Sequence, residues 1–263
     1  MKCVKTLIAV GLLALTLVPG TASAIGIEAS IGVWNQNPIG DISFRAGSAQ
    51  DNLNIKDNLK YSDKTKLTGR VKIDMPLFLP NVYLMATPTE FNGTGIKNTT
   101  LPTFQFGNVQ FNGAIPFASK LKLDHYDIGL YYGVPMLKTA TAGVLNVEVG
   151  LNARIIDFKA EVTGTNALSQ TVTESKALTI PVPMLYAGVQ VTPVKWFAAE
   201  GEVRGIAYGS NQYFDLIGRA KLKPFGPFFA AAGYRYEKVK IDVDDVKADA
   251  TFSGPFGELG VEF

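Results

Sequence analysis

Residues 144–155 read VLNVEVGLNARI. Leu145, Val147, Val149, Leu151, Ala153 and Ile155 occupy alternate positions, and Asn146, Glu148, Gly150, Asn152 and Arg154 lie between them. Strand side chains point to opposite faces in turn, so this stretch is one strand with an unbroken apolar face and a polar one. A helical period would scatter the same six apolar residues around a cylinder. The strand is also long. Strands of soluble sheets usually run about 5–6 residues, whereas a tilted strand that crosses a bilayer needs about 9–11.

The pattern recurs along the chain. Alternation predicts strands at about 25–34, 65–75, 80–91, 119–133, 142–161, 173–192, 196–208, 212–223, 227–240 and 250–263. Ten is an even number, as an up-and-down sheet closed on itself requires. The connections alternate in length. Residues 35–64 and 92–118 read as long polar loops and 162–172 as a longer one, on one side. MPLFLPN (75–81), 134–141, TPVKW (192–196) and KPFGP (223–227) are short turns on the other. GSNQ (209–212) is short on the long-loop side, and 241–249 is an acidic loop.

The N-terminus stands apart. MKCVKTLIAVGLLALTLVPGTASA has a basic start, an apolar run from Leu7 to Val18, and Ala22-Ser23-Ala24 before Ile25. That is the layout of a cleaved export signal over 1–24, cut between Ala24 and Ile25. The run is shorter than the roughly 20 residues of a spanning helix. Cys3, the single cysteine, precedes it, so residues 25–263 can form no disulfide. Without Lys2 and Lys5 the 25 basic residues fall to 23, equal to the 23 acidic ones. A neutral balance gives no electrostatic footprint for nucleic acid. No later segment is apolar enough for a transmembrane helix.

The chain closes with Leu259, Val261 and Phe263 on alternate positions. With the signal and the even set of alternating strands, this triplet resembles the small bacterial outer-membrane β-barrel proteins, in a poorly characterised member of about ten strands. The resemblance covers residues 25–263 as one domain. It implies a closed antiparallel up-and-down transmembrane β-barrel (eight or twelve strands being the neighbouring possibilities) in the outer membrane of a Gram-negative bacterium. It implies outer-membrane lipid, the barrel assembly machinery and periplasmic chaperones as partners, with Leu259, Val261 and Phe263 as the assembly signal. Oligomeric state is left open.

The polar faces carry mixed charge, including Glu28, Arg70, Asp74, Glu148, Arg154 and Glu258, and the set Glu200, Glu202, Arg204, Asp215, Arg219, Arg235 and Glu237. In a narrow barrel side chains fill much of the lumen. Interleaved opposite charges point to a plugging ion-pair network, because a selective pore would show rings of one sign. A tight 209–212 turn sets Arg204 near 217 and Glu202 within diagonal reach of Arg219.

His125, the single histidine, reads as a rim residue, with Ser119 assigned to the opposite strand face. IDVDDVKAD (241–249) lacks the glycine and terminal glutamate of a calcium loop. No metal, cofactor or catalytic set is therefore expected. Trp34, Phe78, Tyr131, Tyr132, Trp196, Phe197, Tyr208, Tyr213, Phe225, Phe228 and Phe263 read as interfacial girdles. Three functions follow: a structural or small-solute outer-membrane barrel without catalysis, a barrel enzyme acting on membrane lipid, and a soluble exported barrel holding an apolar ligand.

Overall fold

The computed structural model describes residues 25–43, 52–76, 78–97, 102–243 and 246–263. The expected signal segment, with Ala24, lies outside the described residues, as do Asp244 and Asp245.

Alternating residues form strands wherever a neighbour satisfies their backbone groups, and here each stave finds two. β1 (Gly26–Ser43) is edged by the short β2 (Leu53–Asn54) and pairs with β3 (Lys64–Asp74). β4 (Asn81–Thr87) and β5 (Glu90–Gly95) keep one register against β8, with Thr87 opposite His125 and Glu90 opposite Lys122. They form a single stave broken at Pro88, which has no N–H for the ladder. β6 (Thr103–Phe106) and β7 (Val109–Asn112) make a separate hairpin. β8 (Phe117–Gly133) leads through the short helix α1 (Leu137–Ala140) to β9 (Leu145–Thr165) and β10 (Thr171–Val194). β11 (Phe197–Tyr208), β12 (Asn211–Phe225), β13 (Phe228–Val243) and β14 (Val246–Glu262) complete the order, and β14 returns antiparallel to β1. The result is a closed antiparallel barrel of ten staves.

Closure satisfies the sheet edges around the lower half, where every stave is paired on both sides. The lower end, with Ile25 and Phe263, carries the short turns, and the upper end carries the longer excursions.

The staves are longer than the apolar-out pattern predicts, because that pattern reverses part-way up. On β9, outward Val149, Leu151 and Ile155 give way to Asp157, Lys159 and Glu161, while inward Glu148, Asn152 and Arg154 give way to Ile156, Phe158 and Val162. On β8, Ile128 and Tyr126 outside give way to Lys122 and Lys120, and Asp127 inside to Leu123 and Leu121. The lower half thus has an apolar wall around a charged interior, and the upper half a polar wall around an apolar one. Leu151 and Leu185 in the lower wall are 65% and 69% exposed. A sheet in water would not leave such a belt bare, and a bilayer requires it.

Residues 35–64 and 92–118 are consequently not plain loops. The upper part of β1, and β2, β5, β6 and β7, lie within them. Their apolar residues cap the upper end. Phe104 stacks on Phe111 at 5.5 Å and packs against Phe117 at 4.8 Å, and Phe91 stacks on Phe252 at 5.5 Å. Burial in this cap pushes the Tyr61 hydroxyl up to about 12. Gly93 and Gly95 let the chain at 58–59 lie against β5, since a Cβ there would meet the carbonyl oxygens of Leu59 and Asn58 at 2.2 and 1.7 Å.

The aromatic girdle needs correction. Phe78, Tyr132, Trp196, Phe225, Phe228 and Phe263 are exposed near the lower end. Trp34, Tyr131 and Tyr213 point inward and are buried. They occupy inward positions of their strands, which nearness to a strand end does not reveal.

Candidate functional site in the barrel interior

Inward residues of the lower half come from nearly every stave and converge on the barrel axis. Starting at the bottom, Lys221 contacts Glu262, Glu28 and Glu200 at 3.0, 2.8 and 2.7 Å. Arg219, two residues up β12, reaches Glu28 and Glu200 at 2.5 Å and Glu258 at 2.7 Å. Arg70 joins Glu258 to Glu202 at 3.4 and 3.0 Å, and Glu202 accepts from Arg204 at 2.7 Å. Asp215, fully buried, gathers Arg154 at 2.5 Å, Arg235 at 2.8 Å and Arg204 at 3.5 Å. Arg154 also binds Asp127 at 2.8 Å, and Arg235 lies 3.4 Å from Glu237.

Burying a charge is costly unless it is paired and hydrogen-bonded. Aromatic faces supply further partners. The Arg204 guanidinium lies 4.3 Å from the Tyr83 ring centre, and that of Arg235 lies 4.5 Å from Trp34. Tyr213 donates to Glu237 at 2.5 Å and Tyr186 to Glu148 at 2.9 Å.

Glu200, Glu202, Arg204, Asp215, Arg219, Arg235 and Glu237 are therefore all brought inside and linked. Asp127 and Lys221 join them, and Lys72 pairs beside them with Glu148 at 2.9 Å. An inward position on a stave could have flagged Asp127, but its partner Arg154 becomes visible only once β8 and β9 are aligned. Asp74 is exposed at the lower end, where Tyr131 donates to it at 3.3 Å.

The expected register between β11 and β12 is corrected. Their turn holds two residues, Gly209 and Ser210, because Tyr208 pairs with Asn211. Arg204 then faces Asp215, Glu202 faces Ile217, and Arg219 faces Glu200. A four-residue turn over GSNQ would shift the pairing by two.

His125 is not on the rim. It is buried above Asp127, with Nδ1 3.1 Å from the Leu123 carbonyl oxygen and Nε2 3.1 Å from Arg235 Nη2. Ser119 shares its inward face, as an even separation along one strand requires. Six residues of strand span about 20 Å, so the two cannot act on one atom. Among the described residues no three metal-ligating side chains converge.

Leu259 and Phe263 point outward at the lower end and are 67% and 69% exposed, with Val261 on the same face. Ile25 is the first described residue.

No protein-family profile matches the chain, and no curated protein does. Among solved structures, the outer membrane protease OmpT from Escherichia coli superposes with a TM-score of 0.52 at 8% identity, over 94% of this chain and 99% of that one. The chain has the outer-membrane β-barrel fold. The translocator domain of autotransporter NalP from Neisseria meningitidis gives 0.43 and 11%, over 98% of each chain. The transport unit of autotransporter AIDA-I from Escherichia coli gives 0.40 and 11%, over 95% and 93%. At such identities the likeness is one of fold. It assigns neither chemistry nor partner to the barrel interior.

Proposed function

We propose that the chain is an integral outer-membrane barrel with a structural, non-catalytic role, whose lumen is shut by its own side chains. In this reading residues 1–24 direct export and are removed between Ala24 and Ile25. The apolar lower wall meets lipid, and the terminal Leu259, Val261 and Phe263 address the chain to the assembly machinery. One observation carries the closed lumen: the ion pairs run without interruption from Glu262 and Lys221 at the bottom to Asp127 and Glu237 at mid-height. Opposite charges alternate along that path, so it offers no ring of one sign for an ion to follow.

Planar-bilayer recording tests it. The wild-type barrel is expected to show little or no steady conductance, and Arg219→Ala, which unlinks three carboxylates, to show more. A large, stable wild-type conductance overturns the closed lumen.

A further inference from the structure

Above the ion network the interior holds a cavity of about 470 Å³, within the ~300–1,000 Å³ usual for small-molecule sites. Its wall is mainly aliphatic and aromatic, with Leu178, Ile180 and Val182 of β10 on one side, Ile156 and Phe158 of β9 beside them, and Ile206 of β11 opposite. Tyr213 anchors one side, its hydroxyl tied to Glu237 of the network. The boundary also includes Lys176, with Lys240 and Lys247 at outward positions of β13 and β14 on its rim, and no aspartate or glutamate among the described residues. Lys176 occupies an inward position of β10.

The barrel wall is incomplete beside this cavity. β10 pairs with β9 along its length, from Thr171 opposite Thr165 to Val191 opposite Leu145. With β11 it pairs only up to Leu185 opposite Gly205. β11 runs on to Tyr208 and β10 reaches back to Thr171, yet these upper segments do not pair with each other. Among the described residues no third strand pairs there. The comparable parting of β3 from β5 is covered by the chain at 58–59. The unpaired edge of β10 contains Pro181 and Pro183, and a proline is tolerated where no ladder needs its N–H. The seam begins at the upper border of the apolar belt, directly above outward Leu185.

We propose that this cavity binds the hydrocarbon chain of a free long-chain carboxylate, admitted sideways between β10 and β11. The aliphatic wall takes the chain. Lys176, the one inward lysine on that boundary, takes the anionic head. The lateral route rests on the membrane placement proposed above, whereas the site itself does not.

The test uses the full chain in a Cys3→Ser background, reconstituted in phosphatidylcholine nanodiscs, with dansyl-labelled undecanoate as the probe. Saturable, blue-shifted emission is expected. Palmitate should displace it about tenfold more effectively than hexadecanol, the scale of one charge-assisted contact. Val182→Trp, which fills the cavity, should abolish the saturable signal while the barrel keeps its heat-modifiable migration. Ile180→Trp serves the same purpose if Val182→Trp does not fold, and Lys176→Glu should weaken palmitate and the undecanoate probe while leaving hexadecanol unchanged. Oxidation of a Pro183→Cys, Ala207→Cys pair across the seam should slow capture, and reductant should restore it.

Absence of saturable binding in an inserted barrel, or unchanged binding in the filled variants, overturns the site. Equal displacement by palmitate and hexadecanol overturns the anionic head. Phosphatidylglycerol vesicles displacing the probe as well as palmitate overturns the free carboxylate as ligand. An unchanged capture rate in the oxidised pair overturns the lateral route. A chain that fails to insert into the nanodisc instead counts against the membrane placement.

Discussion

The amide of Phe263 donates to the carbonyl oxygen of Ile27 at 2.9 Å, and the amide of Ile27 donates back to Phe263 at 3.2 Å. The last residue of the chain thus closes the barrel through its backbone while its ring faces outward. Two roles can therefore be separated by two variants. Deleting Phe263 removes both hydrogen bonds, each worth about 0.5–1.5 kcal/mol, together with the ring. Phe263→Ala removes the ring alone. Both variants are expected to fall sharply in the outer-membrane fraction, while only the deletion lowers the urea midpoint of refolded protein. An alanine variant that assembles at the wild-type level would show that the ring is no assembly signal.

Arg219 faces Glu200 across the β11–β12 ladder, and Glu202 belongs instead to Arg70 and Arg204. Arg219→Ala leaves Glu28, Glu200 and Glu258 with only Lys221 and Arg70 to balance them in a closed interior and is expected to cost about 3–5 kcal/mol. Adding Glu200→Ala should recover part of that loss. Adding Glu202→Ala should recover none, since it breaks a second set of pairs. Urea titrations of the three variants check this, and equal recovery by both double variants would contradict the pairing.

The reversal of polarity along the staves has its own signature. Val149→Arg, on the apolar belt of β9, is expected to cost roughly 2–4 kcal/mol if it lies near the midplane. Thr179→Arg, outward on β10 opposite Asp157, lies above the belt and should stay within about 0.5 kcal/mol of wild type. Similar losses in lipid refolding titrations would mean that the belt's upper border is misplaced.

The β6–β7 hairpin is held to the upper end by Phe104, Phe106 and Phe111, all buried. Phe104→Ala is expected to cost about 3–5 kcal/mol of local packing. Limited proteolysis should then nick the turn at Gly107, while the ten-stave barrel stays protected. Resistance equal to wild type would show that Phe104 does not hold the hairpin.

The ten staves were legible because each crosses the same apolar belt, and a belt forces long period-two alternation on every strand that builds it. The upper half was less so. There Gln36, Pro38, Gly40 and Ile42 take inward positions of β1, and a pattern sought as apolar-outward reads such a stretch as loop. His125 shows the same limit. Its parity with Asp127 places it inside, but its burial depends on Arg235, which lies 110 residues away.

By itself the sequence determined the class of fold, the number of staves and the side of the wall on which each charge of the lower half lies, because strand geometry turns odd and even positions directly into outside and inside. Tertiary structure decided which charges meet. Arg219 reaches Glu28 of β1 and Glu258 of β14 only because the sheet closes on itself. It also decided that an apolar cavity sits above the ion network and that the wall beside it parts at Leu185 and Gly205. Both depend on how far neighbouring staves of unequal length remain in register, and alternation within one strand carries no information about where its neighbour ends.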